Sequence, residues 1–198
     1  MNIQEEATER GRKLEYFTIA WNGTEAVVAI AAGAMAGSVS MVGFGMDSFI
    51  EVISGTALLW RMAIDHEDPR CRRRERIARR IVSICFIALA AYITFESVVT
   101  LLHKRKPETS ILGIVLALVS LGVMPVLTHL KRKVGTDLNS PAMHADAQQT
   151  QFSFYLSIIL LVGLVANATL GWWWADPLAA LGMVPFIARE GMENLAPK

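Results

Sequence analysis

The sequence predicts an all-α membrane protein with six transmembrane helices. Apolar residues make up 53% of the 198 residues, and the mean hydropathy is +0.39, which is too apolar for an ordinary soluble domain. These residues gather in six segments, most of them near the length of about 20 residues that crosses a bilayer core of about 30 Å. We therefore expect a single transmembrane domain over residues 1–198 and no soluble domain. The expected helices cover about 16–37, 40–63, 78–102, 109–130, 143–170 and 173–189.

The connections between these segments are short and polar. Only a turn near Gly37 separates the first two segments, which predicts a tight helical hairpin. Residues 103–110 divide the third segment from the fourth, and residues 171–177 divide the fifth from the sixth. The latter connection contains three tryptophans, which prefer the boundary between membrane and water. Asp176 followed by Pro177 is interpreted as the N-cap and first residue of the sixth helix.

The distribution of positive charge predicts the orientation. Sixteen of the 19 lysines and arginines lie in the N-terminal stretch, the second and fourth connections and the C-terminal stretch. Only three, residues 104–106, lie in the third connection. Since positive residues concentrate on the cytoplasmic side, both termini are predicted to be cytoplasmic. The arginine run at 70–80 and the basic residues 131–133 are counted as loop charges that set this topology, so no nucleic-acid partner is expected.

Two carboxylates lie inside the apolar second segment. Asp47 and Glu51 are four residues apart and therefore share one face of a helix. A charged side chain at this depth costs at least about 3 kcal/mol on insertion scales. Two neighbouring acids repel each other, so either one is protonated or a cation lies between them. A metal ion and protons would then compete for the same oxygen atoms, which is the physical basis of proton-coupled antiport. The structural alternative is a hydrogen-bonded polar cluster with one neutral acid.

Other polar residues lie at a similar depth when counted from the helix starts. Glu25 is about 15 Å into the first helix, near the bilayer centre. Asp146, Gln149 and Ser153 follow one another on one face of the fifth helix, about 6, 10 and 16 Å deep. The first, second and fifth helices are thus expected to surround one central site.

Three stretches resemble the cation diffusion facilitator transporters. Residues 37–52, GSVSMVGFGMDSFIEV, are similar to the end of helix one and the start of helix two in that family, where an acid, three residues and a second acid occur. Asp47 and Glu51 fall on these two acids. Residues 142–157 resemble helix five, and residues 172–195 resemble helix six with its Asp-Pro-x-Ala-Ala pattern. The likeness covers all six helices and identifies the chain as a member of a short branch without the family's C-terminal cytoplasmic domain.

The resemblance also implies a ligand set that this chain alters. The family's histidine and aspartate on helix five fall here on Gln149 and Ser153, so the site loses an imidazole and a carboxylate. Glu25, which lies at the same depth, replaces part of this charge, and Asp146 is a further candidate ligand. An oxygen-only site suits Mn²⁺, Mg²⁺ or Ca²⁺, whereas the family implies zinc or a similar divalent ion. The candidate cargo is therefore zinc, manganese, iron or cobalt.

The expected function is export of a divalent metal cation across a bacterial inner or plasma membrane, coupled to protons. No covalent chemistry is required, so we expect neither an enzyme nor a resident cofactor. The partners are the metal ion, protons and the lipid bilayer, with a homodimer as a possible assembly. Two alternatives stay open: a non-transporting membrane scaffold or partner of another transporter, and a proton-coupled exporter of small organic cations.

Overall fold

The structure of the protein, a computed structural model, describes residues 3–62 and 69–195, with side chains described for residues 6–60 and 80–193. Within these ranges the chain forms six helices and no strand, which confirms the all-α class. The helices are α1 (Ile3–Ala36), α2 (Val39–Met62), α3 (Pro69–Leu102), α4 (Ile111–Asp137), α5 (Pro141–Leu170) and α6 (Ala175–Leu195).

Each predicted apolar segment corresponds to one helix. Helices α1 to α5 are long and apolar enough to cross a membrane. Among the described helices, α6 does not meet this criterion because four of its 21 residues carry charge. Those residues are Asp176, Arg189, Glu190 and Glu193.

The observed boundaries differ from the predicted ones at four helix ends. Helix α1 begins at Ile3 rather than near 16, and α3 begins at Pro69 rather than near 78. Helix α4 ends at Asp137 rather than near 130, and α6 ends at Leu195 rather than near 189. Hydropathy detects only the apolar part of a helix, whereas Glu, Lys, Arg and Ala continue a helix readily into the polar region. Ion pairs four residues apart, such as Lys13 with Glu9 at 2.7 Å, support the polar start of α1.

The arginine run predicted as a loop falls at the start of α3. The backbone is helical from Pro69 onward. Residues 63–68, and the side chains of Arg61 and of the arginines up to 79, lie outside the described residues.

Helix α2 occupies the middle of the bundle. It packs against α1, α3, α5 and α6, while α4 packs against α1 and α5, and α3 packs along α6. Buried apolar side chains, including Phe44 of α2, Phe86 of α3 and Leu160 of α5, fill the space between these helices. The helices that carry the predicted site residues are therefore neighbours of one another.

Two glycines permit the tight contact between α1 and α2. Gly37 adopts a φ of 65°, a left-handed conformation that lets the chain reverse between the two helices. A Cβ atom at Gly45 would lie 2.9 Å from the backbone nitrogen of Ile30, so only glycine lets the two backbones approach this closely. This crossing holds α1 close against the α2 helix that carries Asp47 and Glu51.

Asp176 joins the beginnings of α2 and α6. Its carboxylate is fully buried. One oxygen accepts a hydrogen bond from the backbone N–H of Val39 at 2.9 Å, and the other accepts from the hydroxyls of Ser38 and Ser40. The interpretation of Asp176 as the N-cap of the sixth helix is therefore wrong. Helix α6 already begins at Ala175, and the carboxylate instead satisfies donors at the start of α2.

Candidate metal centre

The predicted pair of carboxylates meets a serine of α5. Asp47 is 1% exposed and Glu51 is 5% exposed. The hydroxyl of Ser153 donates to Oε1 of Glu51 and lies 3.2 Å from Oδ2 of Asp47. The spacing of four residues puts both acids on the α2 face that packs against α5. One hydroxyl thus connects two buried carboxylates that have the same charge when ionised.

Asn22 brings α1 into the same group of side chains. Its Nδ2 donates to Oε2 of Glu51 at 2.5 Å, and the residue is fully buried. Sequence reasoning did not include Asn22 among the site residues, although it lies three residues before Glu25 on the same helix. An amide inside an apolar helix is the signal that could have identified it.

Two oxygen atoms of this group have no hydrogen-bond partner among the described residues. They are Oδ1 of Asp47 and Oδ1 of Asn22. A buried acceptor without a donor costs about 1–3 kcal/mol, and native structures rarely keep such atoms unless an ion or water satisfies them. Oxygen lone pairs in this position suit a cation.

Gln149 lies one turn before Ser153 on α5. It is buried, and its Nε2 has no hydrogen-bond partner among the described residues. The oxygen and nitrogen of an amide are assigned from the hydrogen-bond network, so the same side chain can present its oxygen instead. The structure places Gln149 on the buried side of α5, with no hydrogen bond to the Asp47–Glu51 pair.

Glu25 is buried as expected but belongs to a separate network. One of its oxygens accepts from the hydroxyl of Ser48 on α2 at 2.8 Å, and the other accepts from Ser120 on α4. Its carboxylate therefore connects α1, α2 and α4. The hydrogen bonds of Glu25 go to the hydroxyls of Ser48 and Ser120, and none of those described goes to Asp47 or Glu51.

Asp146 is in a third group of side chains, where it forms an ion pair with Lys131 of α4. The Nζ of Lys131 is also 3.4 Å from Oε1 of Glu15 and donates to the hydroxyl of Thr150 at 3.2 Å. Lys131 was counted as a loop charge, and the structure shows that this is wrong: it is 1% exposed and lies inside α4. Sequence reasoning did not assign a role to Glu15 either.

The chemistry of the central group follows from its donors. Among the described residues, no cluster of three or more His, Cys, Asp or Glu side chains is placed to hold a metal ion. The hydrogen-bonded group around the acid pair consists of two carboxylates with an amide from α1 and a hydroxyl from α5. The buried carboxyl of Glu190 on α6 acts on both acids electrostatically. Such an all-oxygen set suits hard cations, whereas zinc prefers at least one nitrogen or sulfur ligand.

Comparison with known proteins identifies the family. The cation efflux transmembrane domain model matches residues 16–197. The chain is 28% identical over 160 residues to an uncharacterized transporter of Synechocystis sp., covering 78% of this chain and 52% of that protein. It is 27% identical over 169 residues to the magnetosome protein MamB of Magnetospira sp., covering 81% and 57%. It is 26% identical over 163 residues to the cation-efflux pump FieF of Shewanella oneidensis, covering 79% and 55%.

The chain spans about half the length of the curated relatives it matches. The family match covers most of the chain and includes all the residues of the central group. With five helices that are long and apolar enough to cross a membrane, the protein is a multi-pass membrane protein. The resemblance seen in the sequence is confirmed, and the chain belongs to the cation efflux family.

Proposed function

We propose that the protein exports a divalent metal cation from the cytoplasm and binds it between Asp47 and Glu51. The observation that carries this proposal is the buried group of the two carboxylates with Ser153 and Asn22, which contains two acceptor oxygens without donors. Two carboxylates balance the charge of one divalent ion. The uncharged oxygens complete a site that three helices build together.

Proton coupling follows from the same two acids. Without the ion, the charges of Asp47 and Glu51 repel each other in a buried environment, and proton uptake relieves this repulsion. A metal ion that arrives must displace the proton, and a proton that arrives must displace the metal. Alternating exposure of the site to the two sides of the membrane then exchanges metal for protons. The bacterial relatives favour the inner membrane as the location.

The oxygen ligands make manganese the favoured cargo over zinc. Gln149 and Ser153 stand where the family resemblance would place an imidazole and a carboxylate, so these two positions offer no imidazole ligand. Iron and cobalt lie between manganese and zinc in this preference for oxygen ligands. Zinc stays the second candidate because of the family resemblance.

Reconstituted vesicles test this proposal. Purified protein is placed in liposomes with a metal-sensitive dye inside, and Mn²⁺, Co²⁺ or Zn²⁺ is added outside with and without a pH gradient. We expect metal flux that increases when the trans side is acidic and stops when an ionophore collapses the gradient. Metal flux that does not depend on the pH gradient would contradict proton antiport. If the protein carries none of the metals, the result would support the alternative of a membrane scaffold. If it carries only an organic cation, the result would support the alternative of an organic-cation exporter.

A further inference from the structure

A buried lysine holds together two acids of different helices. The Nζ of Lys131 on α4 forms an ion pair with Asp146 on α5 and lies 3.4 Å from Oε1 of Glu15 on α1. Lys131 is 1% exposed and Glu15 is fully buried. We call these three residues the lysine cluster.

We propose that Lys131 is a functional residue of the transport cycle. It acts as a tethered cation that closes the cytoplasmic approach to the Asp47–Glu51 pair, and it must separate from Glu15 and Asp146 before an ion passes. This inference rests on the proposed function, because it assigns a role in the path to the metal site.

The position of the lysine cluster follows from two independent residue counts. Glu15 precedes Asn22 by seven residues on α1, and Asp146 precedes Ser153 by seven residues on α5. Seven residues of helix are two turns, or about 10 Å. Because Asn22 and Ser153 both contact Glu51, the lysine cluster lies two turns from the metal site on the predicted cytoplasmic side.

Helix α2 completes this layer. Gly55 follows Glu51 by four residues, one turn toward the predicted cytoplasmic side. A Cβ atom at Gly55 would lie 3.3 Å from Oε2 of Glu15. The lysine cluster is therefore surrounded by the same three helices that build the metal site, with α4 added through Lys131.

The charges of the lysine cluster suit a barrier that cations can open. One lysine balances only one of the two acids when all are ionised, so the cluster attracts a second cation rather than repelling it. An entering divalent ion competes with the ammonium of Lys131 for the oxygens of Glu15 and Asp146. Competition of this kind separates the helices that the lysine holds together.

Stability alone is a poor explanation for the lysine cluster. A buried ion pair or triad can often be replaced by apolar residues of similar volume with no loss of stability, because desolvation cancels most of the attraction. The lysine cluster bridges three helices through one ammonium, so its contacts depend directly on the relative positions of α1, α4 and α5. A functional role accounts for this arrangement where stability does not.

A labelling experiment measures the barrier without measuring transport. In a background with Cys71→Ser and Cys85→Ser, Gln149→Cys places one thiol on α5 between Asp146 and Ser153. A membrane-impermeant thiol reagent is added to the cytoplasmic side of oriented vesicles. The variant Glu15→Gln/Lys131→Met/Asp146→Asn removes all three charges, and we expect labelling at least about fivefold faster, the lower end of what coupling energies produce. The single variant Lys131→Arg keeps the charge, and we expect it to be labelled as slowly as the Gln149→Cys background.

The control is an exposed ion pair at the opposite end of the bundle. Arg105 lies 3.3 Å from Glu96, and both side chains are accessible to solvent. Glu96→Gln/Arg105→Met removes the same kind of pair and is expected to leave the labelling rate unchanged. An unchanged rate in the triple variant would overturn the inference, as would equal acceleration by the control pair.

Folding is checked by monodisperse elution in detergent. Where the triple variant fails this check, Lys131→Met/Asp146→Asn replaces it, since it removes the ion pair that joins α4 to α5 and leaves a single acid. Faster labelling in that variant supports the inference and an unchanged rate overturns it. If wild-type vesicles carry no metal, the proposed function fails, while the labelling rates still decide whether the lysine cluster closes this approach.

Discussion

Asn22 on α1 donates a hydrogen bond to Glu51 on α2 across 2.5 Å, and its own carbonyl oxygen has no hydrogen-bond donor among the described residues. The first helix was expected to reach the site through Glu25, and this contact shows that Asn22 is the α1 residue that is hydrogen-bonded to the acid pair. It also explains why the tight crossing at Gly45 matters, because the amide reaches Glu51 only when the two backbones lie close together.

Asp47→Asn and Glu51→Gln are each expected to abolish metal binding. Removing one carboxylate leaves too little negative charge to replace the hydration of a divalent ion. We expect affinity to fall more than about 100-fold, beyond what supporting residues of a metal site cost. Calorimetry with Mn²⁺ measures this, and Glu96→Gln at the exposed pair with Arg105 is the matched control. Wild-type affinity in either site variant would remove the pair from the metal site.

Asn22→Leu is expected to weaken binding without removing it. Glu51 loses one hydrogen-bond donor, and the site loses one uncharged oxygen, so affinity should fall about 10- to 100-fold. Thr24→Val is the control, since this exposed hydroxyl of α1 bonds only to the carbonyl of Ala20 in its own helix. The same calorimetric titration reports both variants. Equal affinity in Asn22→Leu and wild type would mean that α1 contributes no ligand.

Gln149→His combined with Ser153→Asp is expected to change which metal is preferred. The two substitutions introduce an imidazole and a third carboxylate beside the acid pair. Zinc affinity should rise at least about tenfold relative to manganese, equal to about 1.4 kcal/mol, because imidazole suits zinc better than manganese. Competition between the two metals on one sample measures the ratio. An unchanged rank order would show that α5 does not select the ion.

Metal affinity is expected to fall as the pH falls from about 8 to about 5, a range that includes carboxyl groups titrating above their usual values. Protons and the metal compete for the oxygens of Asp47 and Glu51, so lower pH favours the protonated, metal-free state. Affinity measured at several pH values, with Glu96→Gln as the control, gives the slope. A flat profile would exclude exchange of metal for protons at this pair.

Asp176→Ala is expected to destabilise the fold by about 1–3 kcal/mol, because it leaves buried donors at the start of α2 without an acceptor. Those donors are the backbone N–H of Val39 and the hydroxyls of Ser38 and Ser40. Thermal unfolding in detergent measures the loss as a lower Tm. Glu193→Gln, which weakens the exposed pair with Arg189 and an exposed hydrogen bond from Gln148, should leave the Tm nearly unchanged. Equal Tm values for the two variants would contradict this account of Asp176.

The fold and the acid pair were predictable because each leaves a strong local signal. Six apolar segments mark six helices, and two acids four residues apart in an apolar helix mark a polar site. The partners of these acids were harder to find. Ser153 was predicted from its depth and its face on the fifth helix, but the serine donors to Glu25 were not identified, because serine is tolerated in many places inside membrane helices.

Lys131 illustrates a different reason for failure. It is followed directly by Arg132 and Lys133, and a run of basic residues after an apolar segment normally marks solvent. Only the helical continuation of α4 turns this lysine inward while Arg132 and Lys133 remain exposed. A run of basic residues indicates where a membrane-spanning segment ends. The rotation of the helix determines which residue of that run is buried.

The bonds between Asp176 and the start of α2 have a mechanical consequence. A helix end held by three hydrogen bonds to a neighbour cannot tilt alone. The N-terminal ends of α2 and α6 therefore move as one unit, and α3 is the helix that packs along α6 beside them. In the proposed transport cycle, a motion that changes the side of the membrane that the acid pair faces has to move these two helix ends together.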